Sequence, residues 1–264
     1  MAESQLSQKL LTAVKPVFTV CWNPNKDLGM VAVSWLLVVG ALYTATNVDG
    51  QEVWGGVAYF FLYAVVGAAL CGVGLPLYWT VKVHRRPISD LGLTSRRLVL
   101  SVILQAIFTL LLFFPTLAKT GFPPGVVLIP LLALALTIGF FEALFWRGWV
   151  LQRLEDAFGL LPAVILGSIL YALYHIGYGM PASEMVFLFF IGVLYAAAFL
   201  LTRSIFILWP VFQPLGQLIT LVKDGLTLPL AAMLGFIEAM ILMFVFVWLA
   251  ARYARKQNQL KNPA

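Results

Sequence analysis

Two ionisable residues, Glu142 and His175, lie inside apolar segments at positions that would bring them together. A charged side chain at the centre of a bilayer costs at least about 2.5 kcal/mol, so each one needs a structural or functional reason. The turn predicted at Gly159 lies 17 residues after Glu142 and 16 residues before His175. Two antiparallel helices joined at this turn would place both side chains at the same depth, roughly 25 Å from the turn.

A carboxylate beside an imidazole can orient a water molecule and remove its proton. The hydroxide formed in this way attacks an amide carbonyl, which is the chemistry of a peptidase. The spacing therefore makes Glu142 and His175 candidate catalytic residues. The alternative is a hydrogen bond between them that only locks two helices together.

Two glutamines, Gln213 and Gln217, are four residues apart and share one face of a predicted helix. Side-chain amides donate hydrogen bonds, which a developing oxyanion requires. Counted from the turn at Arg203, Gln213 lies at a depth similar to that of Glu142 or shallower. We predict that both glutamines support an oxyanion, with hydrogen bonding between helices as the alternative.

Arg147 and Glu238 are the other ionisable residues well inside predicted spans. Arg147 follows Glu142 by five residues, about 140° around an α-helix, so a simple local ion pair is not expected. We expect Arg147 to reach the cytoplasmic boundary or to bind carbonyls of another helix, and the alternative is a substrate carboxylate. For Glu238 we expect a structural hydrogen bond.

The composition excludes a soluble globular protein. Of the 264 residues, 62% are hydrophobic and 11% are charged, with a mean hydropathy of +0.95. Soluble domains carry roughly 25% charged residues. The net charge of +6 is explained by basic residues at helix ends, so no nucleic-acid partner is expected. A metal at Glu142 and His175 would lack a third ligand, and no metal or other cofactor is expected.

Apolar runs of about 20 residues predict an all-α, polytopic membrane bundle. The eight predicted spans are Leu28–Thr46, Val53–Thr80, Leu98–Leu117, Gly125–Val150, Leu161–Tyr178, Glu184–Leu201, Phe206–Val222 and Leu228–Ala251. The seventh contains Pro210 and Pro214, which predict a bend. In the second span, Ala64, Ala68 and Gly72 recur every fourth residue, which favours close helix packing.

The basic residues predict the orientation of the chain. With eight spans, one side holds fourteen Lys and Arg residues and the other holds two. Both termini are therefore predicted to be cytoplasmic. The chain divides into a cytoplasmic or interfacial segment (1–27), a transmembrane bundle (28–251) and a basic cytoplasmic tail (252–264). We expect a multi-pass protein of a prokaryotic cytoplasmic membrane.

Three short motifs give the chain a family resemblance. They are Glu142-Ala143-x-x-x-Arg147, Tyr171-x-x-x-His175 and Gln213-x-x-x-Gln217. They resemble the Glu-Glu-x-x-x-Arg, Phe-x-x-x-His and His-x-x-x-Asn motifs of the CPBP family, the CAAX prenyl endopeptidases and the bacteriocin-processing or abortive-infection-like membrane proteins. The resemblance covers about residues 88–217.

The resemblance implies a glutamate-type intramembrane protease. By position, Glu142 and His175 would activate water, while the third motif would stabilise the oxyanion. Four positions depart from the family pattern: Ala143 replaces the second Glu, Tyr171 replaces Phe, and Gln213 and Gln217 replace the His and Asn of the third motif. Glutamine keeps an N–H donor but removes any acid–base role.

The predicted function is therefore cleavage near the C-terminus of a hydrophobic or lipidated, for example prenylated, protein or peptide in the lipid bilayer. The main alternative is an inactive relative that serves as a membrane scaffold, assembly or immunity factor with a membrane-protein partner. A transporter is the third class, since polar groups at depth and proline-broken helices permit it.

Overall fold

A computed structural model describes residues 18–48 and 52–261. Within these ranges the chain is helical and has no strand. Eight helices carry the architecture: α1 (Lys26–Val48), α2 (Gly56–Val83), α3 (Leu98–Leu117), α4 (Gly125–Phe158), α5 (Leu160–Tyr178), α6 (Ala182–Thr202), α7 (Phe212–Lys223) and α8 (Ala232–Lys261). The predicted all-α, polytopic bundle is confirmed. The predicted 1–27 segment lies largely outside the described residues.

Seven of these helices are long and apolar enough to cross a membrane. The exception is α7, whose 12 residues fall short of the roughly 20 that a span needs. The chain from Arg203 to Lys223 runs from the end of the bundle where Arg203 pairs with Glu155 to the end where Lys223 and Lys119 line one pocket. The seventh predicted span, Phe206–Val222, is therefore not one continuous helix, and we call the stretch from Arg203 to Lys223 the broken crossing.

One buried side chain of α3 satisfies the backbone of this broken crossing. The Gln105 amide donates to the carbonyls of Phe206 at 2.7 Å and Trp209 at 3.2 Å. Its oxygen accepts from the backbone N–H of Val211 at 2.8 Å. Irregular backbone at membrane depth requires such partners, because lipid offers none. Gln105 therefore lets the chain enter α7 without a regular helix.

The hairpin of α4 and α5 forms as expected. It turns at Gly159, where φ is +89° and a Cβ atom would lie 2.2 Å from the Thr19 carbonyl oxygen, so glycine is required. Helix α4 is central, since 61% of the residues in its most apolar stretch are buried, against 11% in the corresponding stretches of α3 and α8. The candidate catalytic helix therefore lies in the core.

Two helices contain π-helical segments, Phe60–Gly74 and Tyr78–Val83 in α2 and Ala143–Leu151 in α4. The small residues Ala64, Ala68 and Gly72 are buried, as the sequence predicted. A Cβ at Gly72 would lie 2.1 Å from the Phe141 ring. The absence of a side chain at this glycine lets α2 pack directly against the turn of α4 that carries Glu142.

A buried carboxylate at one end of the bundle joins three helices. Asp27, at the start of α1, accepts from the Trp79 indole at 2.7 Å and the Arg86 guanidinium at 3.0 Å. His84 lies 3.1 Å away and Arg153 of α4 3.7 Å away. The sequence reasoning missed this cluster, because the first apolar run was counted from Leu28. The orientation of the chain stays a prediction.

Candidate active site

The carboxylate of Glu142 is the centre of the candidate site. Only 3% of the residue is exposed, and its Oε2 accepts three hydrogen bonds. The amide nitrogens of Gln213 and Gln217 lie at 2.7 and 2.9 Å, and the Tyr171 hydroxyl makes a longer contact at 3.5 Å. The structure therefore places both predicted glutamines next to the predicted acid. Their amides donate to its carboxylate.

A glycine on α4 permits this approach of α7. A Cβ at Gly139 would lie 2.7 Å from Cγ of Pro214 and 3.5 Å from Oε1 of Gln217. Gly139 precedes Glu142 by almost one helical turn, so it forms the flat surface against which the start of α7 rests. The third motif reaches Glu142 because no side chain separates the two helices here.

His175 is buried beside the same tyrosine. Its Nδ1 lies 3.0 Å from the Tyr171 carbonyl oxygen. Its ring packs on Tyr171 and Tyr174, with centroids 5.2 and 4.9 Å apart. No direct hydrogen bond or ion pair joins His175 to Glu142 among the residues that the structure describes. Tyr171 contacts both residues, through its hydroxyl and through its ring.

A group of tyrosine hydroxyls surrounds this part of the core. Tyr63 of α2 is hydrogen-bonded to Tyr174 at 2.7 Å and also to Tyr178, while Tyr174 lies 3.2 Å from Tyr178. The sequence analysis did not identify this network. The sequence pattern that could have revealed it is the spacing of residues 171, 174, 175 and 178, which places four rings on one face of α5.

Arg147 differs from both expectations. It is 2% exposed, so it does not reach the boundary, and it binds no backbone carbonyl within the described chain. Its guanidinium instead lies over the Tyr171 ring, 5.2 Å from the centroid. Arg147 lies within the π-helical segment Ala143–Leu151. No ion pair joins it to Glu142 among the described residues, as their spacing predicted.

Three buried polar atoms around Glu142 lack a hydrogen-bond partner within the described ranges. They are Nη1 of Arg147, Nε1 of Trp146 and Oε1 of Gln217. Leaving a buried polar group unpaired costs about 1–3 kcal/mol, so native structures retain few of them. They lie on the two helices that meet at the carboxylate, so a polar group bound there would find two donors and one acceptor.

Glu238 does not take part in the site. It is exposed on α8 and has no hydrogen bond to any described residue, so the expected structural hydrogen bond is wrong. The reason is its position on the outer face of a peripheral helix. No group of three or more His, Cys, Asp and Glu side chains that could hold a metal ion occurs in the described parts of the chain.

A family model described as type II CAAX prenyl endopeptidase Rce1-like matches residues 123–212. The resemblance to the CPBP family is confirmed. The Rce1-like segment begins just before α4 and ends at the first residue of α7. It contains Glu142, Arg147 and His175, and it stops one residue before Gln213.

No curated protein matches the chain. The Rce1-like match and the seven apolar helices make this an integral membrane protein. The match lies inside the predicted family-like region, 88–217, and leaves the third motif outside. The first two motifs therefore carry the resemblance that the family model detects.

Proposed function

We propose that this protein is an intramembrane endopeptidase that cuts a peptide bond near the C-terminus of a membrane-associated substrate, prenylated or otherwise hydrophobic. The observation that carries the proposal is the buried Glu142 carboxylate, which is held by two amides and lies in an Rce1-like segment that also contains His175. Burying a carboxylate in so apolar a core costs free energy, and general-base catalysis is a function that explains why such a residue is kept there.

In the proposed reaction Glu142 and His175 orient one water molecule. Glu142 takes a proton from this water as its oxygen bonds to the scissile carbonyl carbon. The carbonyl π electrons move onto the oxygen and give a tetrahedral oxyanion. The C–N bond then breaks, and the proton held by Glu142 passes to the leaving amine. His175, whose Nδ1 lies at the Tyr171 carbonyl, is fixed in orientation by that contact.

The proposed oxyanion donors come from α7 and α4. Each glutamine amide has two N–H groups, and one of them is used by Glu142. The second N–H of Gln213 and of Gln217 makes no hydrogen bond to a described residue, so it is available for the oxyanion. The unpaired Nη1 of Arg147 supplies a further donor with a full positive charge, which supports negative charge more strongly than a neutral amide does.

The test is hydrolysis of quenched C-terminal peptides, with and without a prenyl group, by the protein purified in detergent. We expect Glu142→Gln and His175→Ala each to reduce cleavage by about a hundredfold or more, the usual range for loss of a general base. Glu238→Gln is the matched control, since Glu238 is exposed and unbonded within the described chain. If both site variants cleave like the wild type, this assignment of the site is wrong.

One observation favours the second candidate, an inactive relative that serves as a scaffold or assembly factor. Both glutamines donate to the same oxygen of Glu142, as a lock between α4 and α7 would. In that case no peptide is cut, Glu142→Gln lowers the melting temperature, and a membrane-protein partner co-purifies with the wild type. Preserved folding together with loss of cleavage would instead favour the peptidase.

A further inference from the structure

The C-terminal end of α8 carries a row of cations on its outer face. Trp248, Arg252, Arg255 and Lys256, with Gln259, line one open pocket there. Their spacing of three and four residues places them on a single face of the helix. We call Trp248, Arg252, Arg255 and Lys256 the α8 basic stripe.

The cations of the α8 basic stripe have no anionic partner in the described chain. None of them forms an ion pair, and all three are exposed. Arg252 lies over the Trp248 indole, with its guanidinium carbon 5.3 Å from the ring centroid. Three like charges within two helical turns repel one another, so an external anion would stabilise this end of α8. Attraction to the helix C-terminus explains part of their placement.

The same face becomes apolar towards the middle of the helix. Ile241 and Val245 are exposed, and they precede Trp248 by seven and three residues. The order along this face is therefore aliphatic, aromatic and then basic. Attraction to the helix terminus explains neither the tryptophan nor the aliphatic run. A phospholipid presents matching groups in the same order: acyl chain, glycerol region and phosphate.

A second helix adds a cation at the same level. Lys82, near the end of α2, lies over the Tyr253 ring with its Nζ 5.1 Å from the centroid. Tyr253 is the residue after Arg252, so α2 and α8 both end in basic residues beside aromatic rings. Aromatic residues flanked by Lys or Arg are typical of the boundary between acyl chains and headgroups.

We propose that the α8 basic stripe is a binding site for an anionic phospholipid, with the phosphate at Arg252, Arg255 and Lys256 and the acyl chain along Val245 and Ile241. Trp248 lies at the glycerol level between them. A soluble polyanion would use the cations alone and leave the aliphatic run without a role. This site is independent of peptide hydrolysis, because its residues lie on the outer face of a peripheral helix.

The test is native mass spectrometry of the full chain in detergent, titrated with phosphatidylglycerol or with phosphatidylcholine. We expect the wild type to retain phosphatidylglycerol in preference to phosphatidylcholine. The triple variant Arg252→Gln/Arg255→Gln/Lys256→Gln should bind it on the order of 100-fold more weakly, because each basic residue near an anionic lipid contributes about a fivefold factor. The charge-preserving variant Arg252→Lys/Arg255→Lys/Lys256→Arg should retain binding.

The matched control is Lys119→Gln/Lys223→Gln, which removes two cations from the pocket at the other end of the bundle. This variant should bind phosphatidylglycerol like the wild type. An unchanged melting temperature of the triple variant shows that its fold is kept. The proposal is overturned if the triple variant binds as the wild type does, if phosphatidylcholine binds equally well, or if inorganic phosphate displaces the lipid completely.

Discussion

The amide of Gln213 and the carboxylate of Glu142, 71 residues apart in the chain, are joined by a 2.7 Å hydrogen bond. The bond connects the start of a short helix to the most buried helix of the bundle. Through this bond the third motif holds the carboxylate of Glu142 in one orientation, which its sequence pattern alone does not indicate. The position of Glu142 therefore depends on the position of α7.

Replacing Gln213 by leucine should destabilise the protein more than replacing Gln217. Gln213 is buried and Gln217 is half-buried, and both donate to Oε2 of Glu142. Loss of a buried donor to a charged group costs about 1.5–3 kcal/mol. Thermal unfolding in detergent would measure the difference. Gln259→Leu, at an exposed position, is the control. Equal melting temperatures of Gln213→Leu and the wild type would contradict the role of Gln213.

Gly139→Ala should move α7 away from Glu142. The new methyl group would lie 2.7 Å from Cγ of Pro214, and overpacking of this kind costs about 1–3 kcal/mol. We expect a lower melting temperature and slower peptide hydrolysis. Pro214→Ala removes the colliding atom, so the double variant should recover part of both losses. Gly40→Ala, which meets no atom within 4 Å, should have little effect; a similar loss there would point to a general intolerance of alanine.

Arg147→Met should separate stability from activity. The guanidinium has an unpaired Nη1 and no hydrogen bond to a described residue, so methionine removes a buried charge without breaking a bond. Replacing a buried charge by an apolar residue of similar size is often neutral or stabilising. We therefore expect an unchanged or higher melting temperature, with peptide hydrolysis reduced by about tenfold or more.

The matched control for Arg147 is Arg153→Met on the same helix. Arg153 pairs with Asp156 at 3.1 Å and donates to the Asp90 carbonyl at 3.2 Å, so its loss should lower the melting temperature. If Arg147→Met also unfolds at a lower temperature and cleaves normally, then Arg147 is a structural residue and its supporting role in catalysis is wrong.

Gln105→Leu should disrupt the broken crossing. It would leave the carbonyls of Phe206 and Trp209 and the N–H of Val211 without a partner. Each unpaired buried group costs about 1–3 kcal/mol, so we expect a large fall in melting temperature. Ser101→Ala is the control on the same helix, because the buried Ser101 hydroxyl has no partner within the described chain. Comparable unfolding temperatures for both variants would show that the crossing does not depend on Gln105.

Most of the architecture could be predicted because apolar runs of about 20 residues are a direct consequence of bilayer thickness. The hairpin of α4 and α5 could be predicted from the turn at Gly159, and nearly equal separations from it, 17 and 16 residues, predict a similar depth for Glu142 and His175. The bend in the seventh span could be predicted from Pro210 and Pro214, but the partner of its irregular backbone could not. That partner is Gln105, a residue on another helix about 100 positions away in the chain, and no local pattern reports the contact.

The contacts inside the candidate site were harder to predict. The spacing correctly predicted no local ion pair between Arg147 and Glu142, but it did not predict that Arg147 lies over the Tyr171 ring. Arg147 lies in a π-helical segment, whose hydrogen-bond register is set by packing rather than by residue type. Asp27 was missed because the first apolar run was counted from Leu28, and because its partners, Trp79, Arg86 and Arg153, come from two other parts of the chain.

One aromatic side chain touches four members of this region at once. Tyr171 meets Glu142 through its hydroxyl and packs against Trp146, Arg147 and His175 through its ring. A phenylalanine at this position would keep the three ring contacts and lose only the hydroxyl. Substitutions between these two residues can therefore adjust the polarity around the carboxylate while the surrounding side chains stay where they are.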